Sequence, residues 1–343
     1  MLTESLTTVT LRARESPSSR LPVMRTEDFC KQSRVIVVAG KGGVGKSTIT
    51  AAVAQMAASA GLSVLIVDLE GKSGMPAAFG RSEPLDYGEA VLSNGTKGEV
   101  RARRITPDDA LIEYLAEHGM KRVSKRLVSS GAIDVVSTAI PGIRDILVLG
   151  KVKQLERSGT ADLILLDAPA TGHAMTFLSS ARGLLDAARS GPVRAQAAEV
   201  LEMLADSTRC QVMLVTLPEE MPVNEVVEAA FALEDRIGMS LGPIVVNGCL
   251  PALDILDEDP DRAARELGIE LAPDVSSSLG RAAAFRSRRR ALQEEQIQRL
   301  ADALPLPQLR APLLFEGSIG PVETGILATS IEEEIGRLDG GGA

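Results

Sequence analysis

The stretch Val35 to Thr48 reads VIVVAGKGGVGKST, and it constrains the fold more than any other part of the chain. The apolar run Val35 to Val38 leads into Gly40, Gly42, Gly43, Val44 and Gly45, then Lys46, Ser47 and Thr48. An alanine-rich segment of helical character follows, from Ile49 to Ala60. A buried strand, a glycine loop and a helix start, in that order, let backbone N–H groups wrap an anion with the positive end of the helix dipole behind them. The residue types divide the work. The pattern predicts that the glycines cradle phosphates, that Lys46 neutralises the outer ones, and that the Ser47 hydroxyl sits on Mg²⁺. It implies a nucleoside-triphosphate site.

Composition sets the outer bounds. With 343 residues, 45% hydrophobic and 24% charged, the chain has material for a sizeable core. Aromatics are only 2%, so that core has to be aliphatic. A net charge of −9 argues against nucleic acid as an obligate partner. Cys30, Cys210 and Cys249 are odd in number and far apart, which fits a reducing, cytoplasmic setting without structural disulfides. The sequence holds no apolar run near the ~20 residues that span a bilayer.

Taken in order, residues 1–33 are rich in Ser, Thr, Arg and Glu and read as a flexible tail with room for a short ordered piece. Ser63 to Asp68 (SVLIVD) is a second apolar strand, ending in Asp68-Leu69-Glu70-Gly71. Pro84 to Gly98 reads as a turn-rich connection and Val100 to Ile105 as a strand. Thr106 is placed to cap a helix opened by Pro107. Helical character continues through residues 108–156, including a segment from Lys121 to Ser129. Asp162 to Asp167 (DLILLD) is a strand closed by an acid, the pattern that holds Mg²⁺ beside a phosphate loop. Helices are expected over residues 174–206, Val223 to Ile237, Asp259 to Leu267, Ser277 to Ala303 and Gly320 to Leu338. Strands are expected at Cys210 to Thr216, Pro243 to Asn247 and Leu304 to Leu306. Alternation of this kind predicts an α/β fold with a doubly wound, mainly parallel sheet and an inserted helical layer.

Lys41 turns the loop into the deviant form G-K-G-G-V-G-K-S-T. In this the chain resembles the ATPases that partition DNA (ParA), place division sites (MinD), reduce nitrogenase, drive arsenite pumps (ArsA) and target tail-anchored membrane proteins. Asp167-Ala168-Pro169-Ala170-Thr171-Gly172-His173 sharpens the likeness to the ArsA and guided-entry branch, whose second switch reads D-T-A-P-T-G-H. Ile105-Thr106-Pro107, Pro141-Gly142-Ile143, Pro218-Glu219 and Asn247 add to it, so the likeness spans roughly residues 34–306.

The resemblance implies a single P-loop ATPase domain over residues 34–338, a frayed end at 339–343, and ATP and Mg²⁺ as cofactors. It assigns Gly42 to Thr48 to the phosphates and Ser47 and Asp167 to Mg²⁺. Lys41 is assigned to the partner's phosphates across a nucleotide-sandwich dimer, Asn247 to the adenine edge and Pro305 to the adenine pocket. Ala168, Pro169, Gly172 and His173 form the second switch, with His173 a structural residue. The dimer is either a homodimer or a heterodimer with a paralogous ATPase.

Three departures qualify the likeness. Where the family's first switch has an Asp that orients the attacking water, spacing places Glu70 here, with Asp68 a competitor. The C-x-x-C pair used for a zinc clamp is missing, so no zinc is expected. The segment after His173 lacks a Met-rich insertion, leaving an apolar groove between residues 108–156 and 174–206 as the place for a hydrophobic client. The expected function is an ATP-hydrolysing dimeric switch that handles a client protein or membrane partner. A ParA- or MinD-like positioning ATPase and a regulatory subunit with little hydrolysis are the alternatives. The acidic end of the last helix disfavours the former. Arg281 to Arg290, with five arginines, reads as a solvated face balanced by Glu294 and Glu295.

Overall fold

The computed structural model describes residues 24–71, 74–95, 97–117, 119, 142–253 and 258–338. Strand β1 (Val35–Gly40) is buried along its whole length and pairs in parallel with β5 (Leu163–Ala170) on one side and β6 (Cys210–Thr216) on the other. An unbroken apolar run suits such a place, because a central parallel strand meets helices on both faces. Beyond β5 lie β2 (Ser63–Asp68), β4 (Glu99–Arg104) and β3 (Ala90–Asn94). Beyond β6 lie β8 (Ile244–Cys249) and β9 (Gln308–Pro312), and the short β7 (Ser240–Leu241) pairs with β6 off the main path. The sheet order is β3-β4-β2-β5-β1-β6-β8-β9, and β3 is antiparallel to β4 while the other pairings are parallel.

Successive residues of β1 feed opposite core layers, as the two-residue period of a strand requires. Val35 and Val37 pack with α5 (Ile143–Ser158), α6 (Thr171–Ala187), α7 (Pro192–Ala205) and α8 (Glu220–Ile237). Ile36 and Val38 pack with α1 (Thr26–Cys30), α2 (Lys46–Ser59) and α11 (Pro321–Gly336). The remaining helices are α3 (Gly74–Ala77), α4 (Pro107–Glu117), α9 (Pro260–Glu266) and α10 (Pro273–Ala303). Among the largest fully buried side chains Phe29 is the aromatic one amid Ile, Leu and Met, the aliphatic core that composition requires.

Several elements depart from the sequence expectations. The short ordered piece allowed for in the tail is a helix: α1 buries Phe29 and Cys30, so the packed core includes residues before Arg34. Strand β3 lies inside the expected connection 84–98. It is an edge strand of which only Leu92 is buried, so it carries no apolar run to announce it. The last strand is Gln308–Pro312, not Leu304 to Leu306. Leu309 and Ala311 point inward in alternation, while Leu304 closes α10 by donating to the Leu300 carbonyl. Helix α8 starts at Glu220, because Pro222 sits in a first turn whose N–H groups need no partner.

Between the two segments expected to form the groove, a cavity of about 220 Å³ is lined by Tyr114, Leu147, Gly150 and Gln196 together with charged side chains of α4 and α5. Helices α4 to α7 turn their large apolar side chains toward the sheet, and none of those described is exposed. Exposed apolar side chains occur instead on α8 and α10, at Met221, Phe231, Val275, Leu279, Phe285 and Leu292. The helix expected at Lys121 to Ser129, together with His118 and Pro141, lies outside the described residues.

Candidate nucleotide site

The carboxyl ends of β1, β2 and β5 share one edge of the sheet, and the glycine loop leaves β1 at that edge. Glycine is required there by geometry. A Cβ on Gly40 would lie 2.2 Å from the Val215 carbonyl oxygen of the neighbouring strand. Gly43 and Gly45 have φ of 89° and 92°, the left-handed region that side chains disfavour. A Cβ on Gly45 would also lie 2.3 Å from Asn247 Nδ2. Asn247 reaches over from β8 and donates to the Val44 carbonyl at 2.9 Å. Its amide therefore braces the back of the loop, a role the sequence did not disclose.

Helix α2 begins at Lys46, whose side chain is 6% exposed and whose Nζ donates to the Lys41 carbonyl at 3.1 Å. Thr48 follows within the first turn of α2, half-buried. Ser47 Oγ donates to Asp167 Oδ2 at 2.6 Å. Thr50, unmarked in the sequence, adds a longer contact of 3.5 Å to Asp167 Oδ1 and bonds the Lys46 carbonyl at 2.9 Å. The β2–β5 register sets Asp68 beside Asp167, so two carboxylates stand next to one another at strand ends.

Burial is the main cause that pushes the Asp167 carboxyl up to about 6; Asp68 adds to it, while the Ser47 hydroxyl and Lys46 oppose it. Burial likewise raises Asp68, against the N–H groups of Gly71 and Glu70 that bond its Oδ1 at 2.8 and 2.9 Å. Asp68 thus ties a turn whose half-buried member is Glu70.

These oxygens fit Mg²⁺. A hydroxyl and a carboxylate within hydrogen-bond distance of each other are hard donors, and Mg²⁺ bound with phosphates takes only one or two protein ligands. Among the described residues no three His, Cys, Asp or Glu side chains converge as an all-protein metal cage would.

The second-switch residues divide between two elements. Ala168 and Pro169 extend β5, whereas Gly172 and exposed His173 lie in the first turn of α6. Ala170 stands opposite Gly40 across the strand pair, so the switch begins against the loop. Lys41 is half-exposed and forms an ion pair with Glu225 of α8 in its own chain.

Pro305 precedes β9, whose first residue Gln308 pairs with Ile244 at the start of β8, so the residues that leave β9 toward the loop are those after Pro312, not Pro305. The end of β9 on the loop's side carries Leu313, whose N–H bonds the Cys249 carbonyl at 2.8 Å, and exposed Phe315. The signal available in the sequence was the strand–loop junction after Pro312, hidden by placing the strand too early.

Comparison with known proteins agrees with this geometry. The sequence profile of the anion-transporting ATPases matches residues 33–189. ATPase BagA of Mycobacterium tuberculosis is 33% identical over 311 residues, covering 83% of this chain and 88% of that one. A putative arsenical pump-driving ATPase of Halobacterium salinarum is 27% identical over 313 residues, 84% of this chain and 43% of that protein. ATPase get3 of Schizosaccharomyces japonicus is 30% identical over 145 residues, 42% of this chain and 43% of that one. The chain belongs to the anion-transporting ATPase family and is an ATPase of that type.

Proposed function

We propose that the chain binds and hydrolyses ATP as a dimeric switch, and that the switch acts on a partner. The observation that carries this is the Ser47–Asp167 bond beside a glycine loop shaped by Gly40, Gly43 and Gly45. Lys46, held across the loop, is the cation for the outer phosphates, and Ser47 and Asp167 would hold Mg²⁺, which when bound shields the charge of the reacting phosphates. Of the two acids left open by the sequence, Asp68 already commits one oxygen to the turn's backbone. We assign Asp68 as the anchor and Glu70 as the group that orients the attacking water.

Lys41 has its place in the second half of the cycle. It is near the surface, tied only to another half-exposed side chain, and free to exchange Glu225 for the phosphates of a second subunit. That subunit is a second copy or a related ATPase. On the adenine side, Asn247 and the Leu313–Phe315 turn are the candidates for contact with the base. Relatives named for driving an arsenical pump support a reading in which turnover drives a partner, either a client with a hydrophobic segment or a membrane protein. No described helix is long and apolar enough to cross a membrane.

Light scattering on Glu70→Gln protein with ATP and Mg²⁺ tests the dimer. The expected result is a mass twice that of the chain, and the monomer mass for Lys46→Ala. Monomers in both would refute the sandwich.

A further inference from the structure

Arg104 ends strand β4, and the parallel register sets it directly beside Asp68 at the end of β2. Asp68 is in turn beside Asp167, so the charged edge runs Arg104, Asp68, Asp167 across successive strands. Arg103, one residue earlier, points to the other face, where it lies 4.5 Å from the centre of the Tyr87 ring. Arg104 turns toward the Asp68 turn instead. A Cβ built on Gly71 would meet its Nε at 2.4 Å, its Cζ at 2.6 Å and its Cδ at 3.0 Å. Its guanidinium therefore occupies the space where any other residue at position 71 would place a side chain. Gly71 also has φ of 67°, the left-handed region that favours glycine.

The turn is thus held from two sides. Asp68 Oδ1 takes the N–H groups of Glu70 and Gly71 from within, and Arg104 covers Gly71 from outside. Glu70 is the residue between these two fixings. The same guanidinium lowers the cost of the Asp68 charge and is the cation on the far flank of the acid row, as Lys46 is on the near one.

We infer that Arg104 is the positioning residue for the water-orienting Glu70. The inference rests on the reading of Glu70 given above. Sheet spacing disfavours the other role open to an arginine here, direct contact with the phosphates. In the order β4-β2-β5-β1, three strand spacings separate Arg104 from the loop strand, about 14 Å at ~4.8 Å each. Arg104 acts through the turn. A planar guanidinium lies flat on a glycine backbone, whereas an ammonium cannot, so lysine is a poor substitute.

The test is the kcat and KM for ATP of Arg104→Ala, Arg104→Lys and Gly71→Ala, beside Glu70→Gln. Misplacing a water-orienting group by about 1 Å costs up to ~100-fold in rate while leaving nucleotide contacts intact. Arg104→Ala and Gly71→Ala are expected to lower kcat by 10- to 100-fold with KM changed less than threefold. Arg104→Lys should recover only a small part of kcat. Loss of turnover in Glu70→Gln with wild-type kcat in Arg104→Ala overturns the inference and leaves the Glu70 reading standing. Wild-type turnover in Glu70→Gln overturns that reading, and the inference with it. A rise in KM matching the fall in kcat/KM, with kcat unchanged, would make Arg104 a binding residue and also overturn it.

Discussion

Ser47 Oγ donates to Asp167 Oδ2 at 2.6 Å, although the two residues are 120 positions apart. The first turn of α2 supplies one and the end of β5 the other, and the pairing of β1 with β5 fixes their approach. Asp167 is nonetheless uncomfortable: burial raises it from 3.8 to about 6. A carboxyl raised in the folded state adds stability fully only below its unfolded value, and that stability is lost as pH climbs through the folded value. In chelator, Asp167 should therefore cost the protein on the order of 2–3 kcal/mol between pH 4 and pH 7. Asp167→Asn is expected to melt higher than wild type at pH 7.5 and level with it near pH 4. It should gain nothing from Mg²⁺ beyond what ATP alone gives. Scanning calorimetry at the two pH values checks this, and an Asn variant less stable than wild type at pH 7.5 would contradict it.

The Lys41–Glu225 pair is half-exposed on both sides, so it is worth at most ~1 kcal/mol. That is small enough to be exchanged during a cycle and large enough to register. Glu225→Gln should raise turnover two- to fivefold by releasing Lys41, and Lys41→Ala should lower it more than tenfold with ATP affinity within threefold. Phosphate release measured at saturating ATP distinguishes the two variants. Equal turnover in all three proteins would mean that Lys41 has no part in catalysis.

Asn247 and Gly45 are matched to one another. Removing the amide by Asn247→Ala takes away one hydrogen bond to the loop, about 1 kcal/mol, and should weaken ATP about fivefold. Gly45→Ala places a methyl 2.3 Å from that amide at a φ of 92° and should abolish detectable binding. Titration calorimetry with ATP reads both. Retained affinity in Gly45→Ala would show that the loop adopts another shape.

Phe29 is 1% exposed in a helix that the composition of its surroundings disguised. Phe29→Ala should cost about 3 kcal/mol through the cavity it leaves against α2 and α11. Urea unfolding measures it; a loss under 1 kcal/mol would mean that α1 is not part of the folded core.

Where residue type and period coincide, the sequence was sufficient. Val35 to Val38 could only be a central strand, and Asp167 stands in the expected strand, which runs on past it to Ala170. Cys210–Thr216 also occupies the predicted bounds. Reading failed where burial is one-sided or packing supplies the reason. Strand β3 shows one buried residue, so nothing separates it from a turn. Misplacing β9 by a few residues put the candidate adenine contact before the strand instead of after it. Glu225 and Arg104 lie on other elements than the motifs they serve, Glu225 brought to Lys41 by helix packing and Arg104 brought to Asp68 by the parallel register.

The most direct measurement is steady-state phosphate release from ATP with and without Mg²⁺, for wild type and Glu70→Gln, with ATP binding measured on the same samples. The account predicts Mg²⁺-dependent turnover in wild type and at least a hundredfold loss in Glu70→Gln, with ATP affinity kept within threefold. Turnover by Glu70→Gln at the wild-type rate, or turnover indifferent to Mg²⁺, would contradict it.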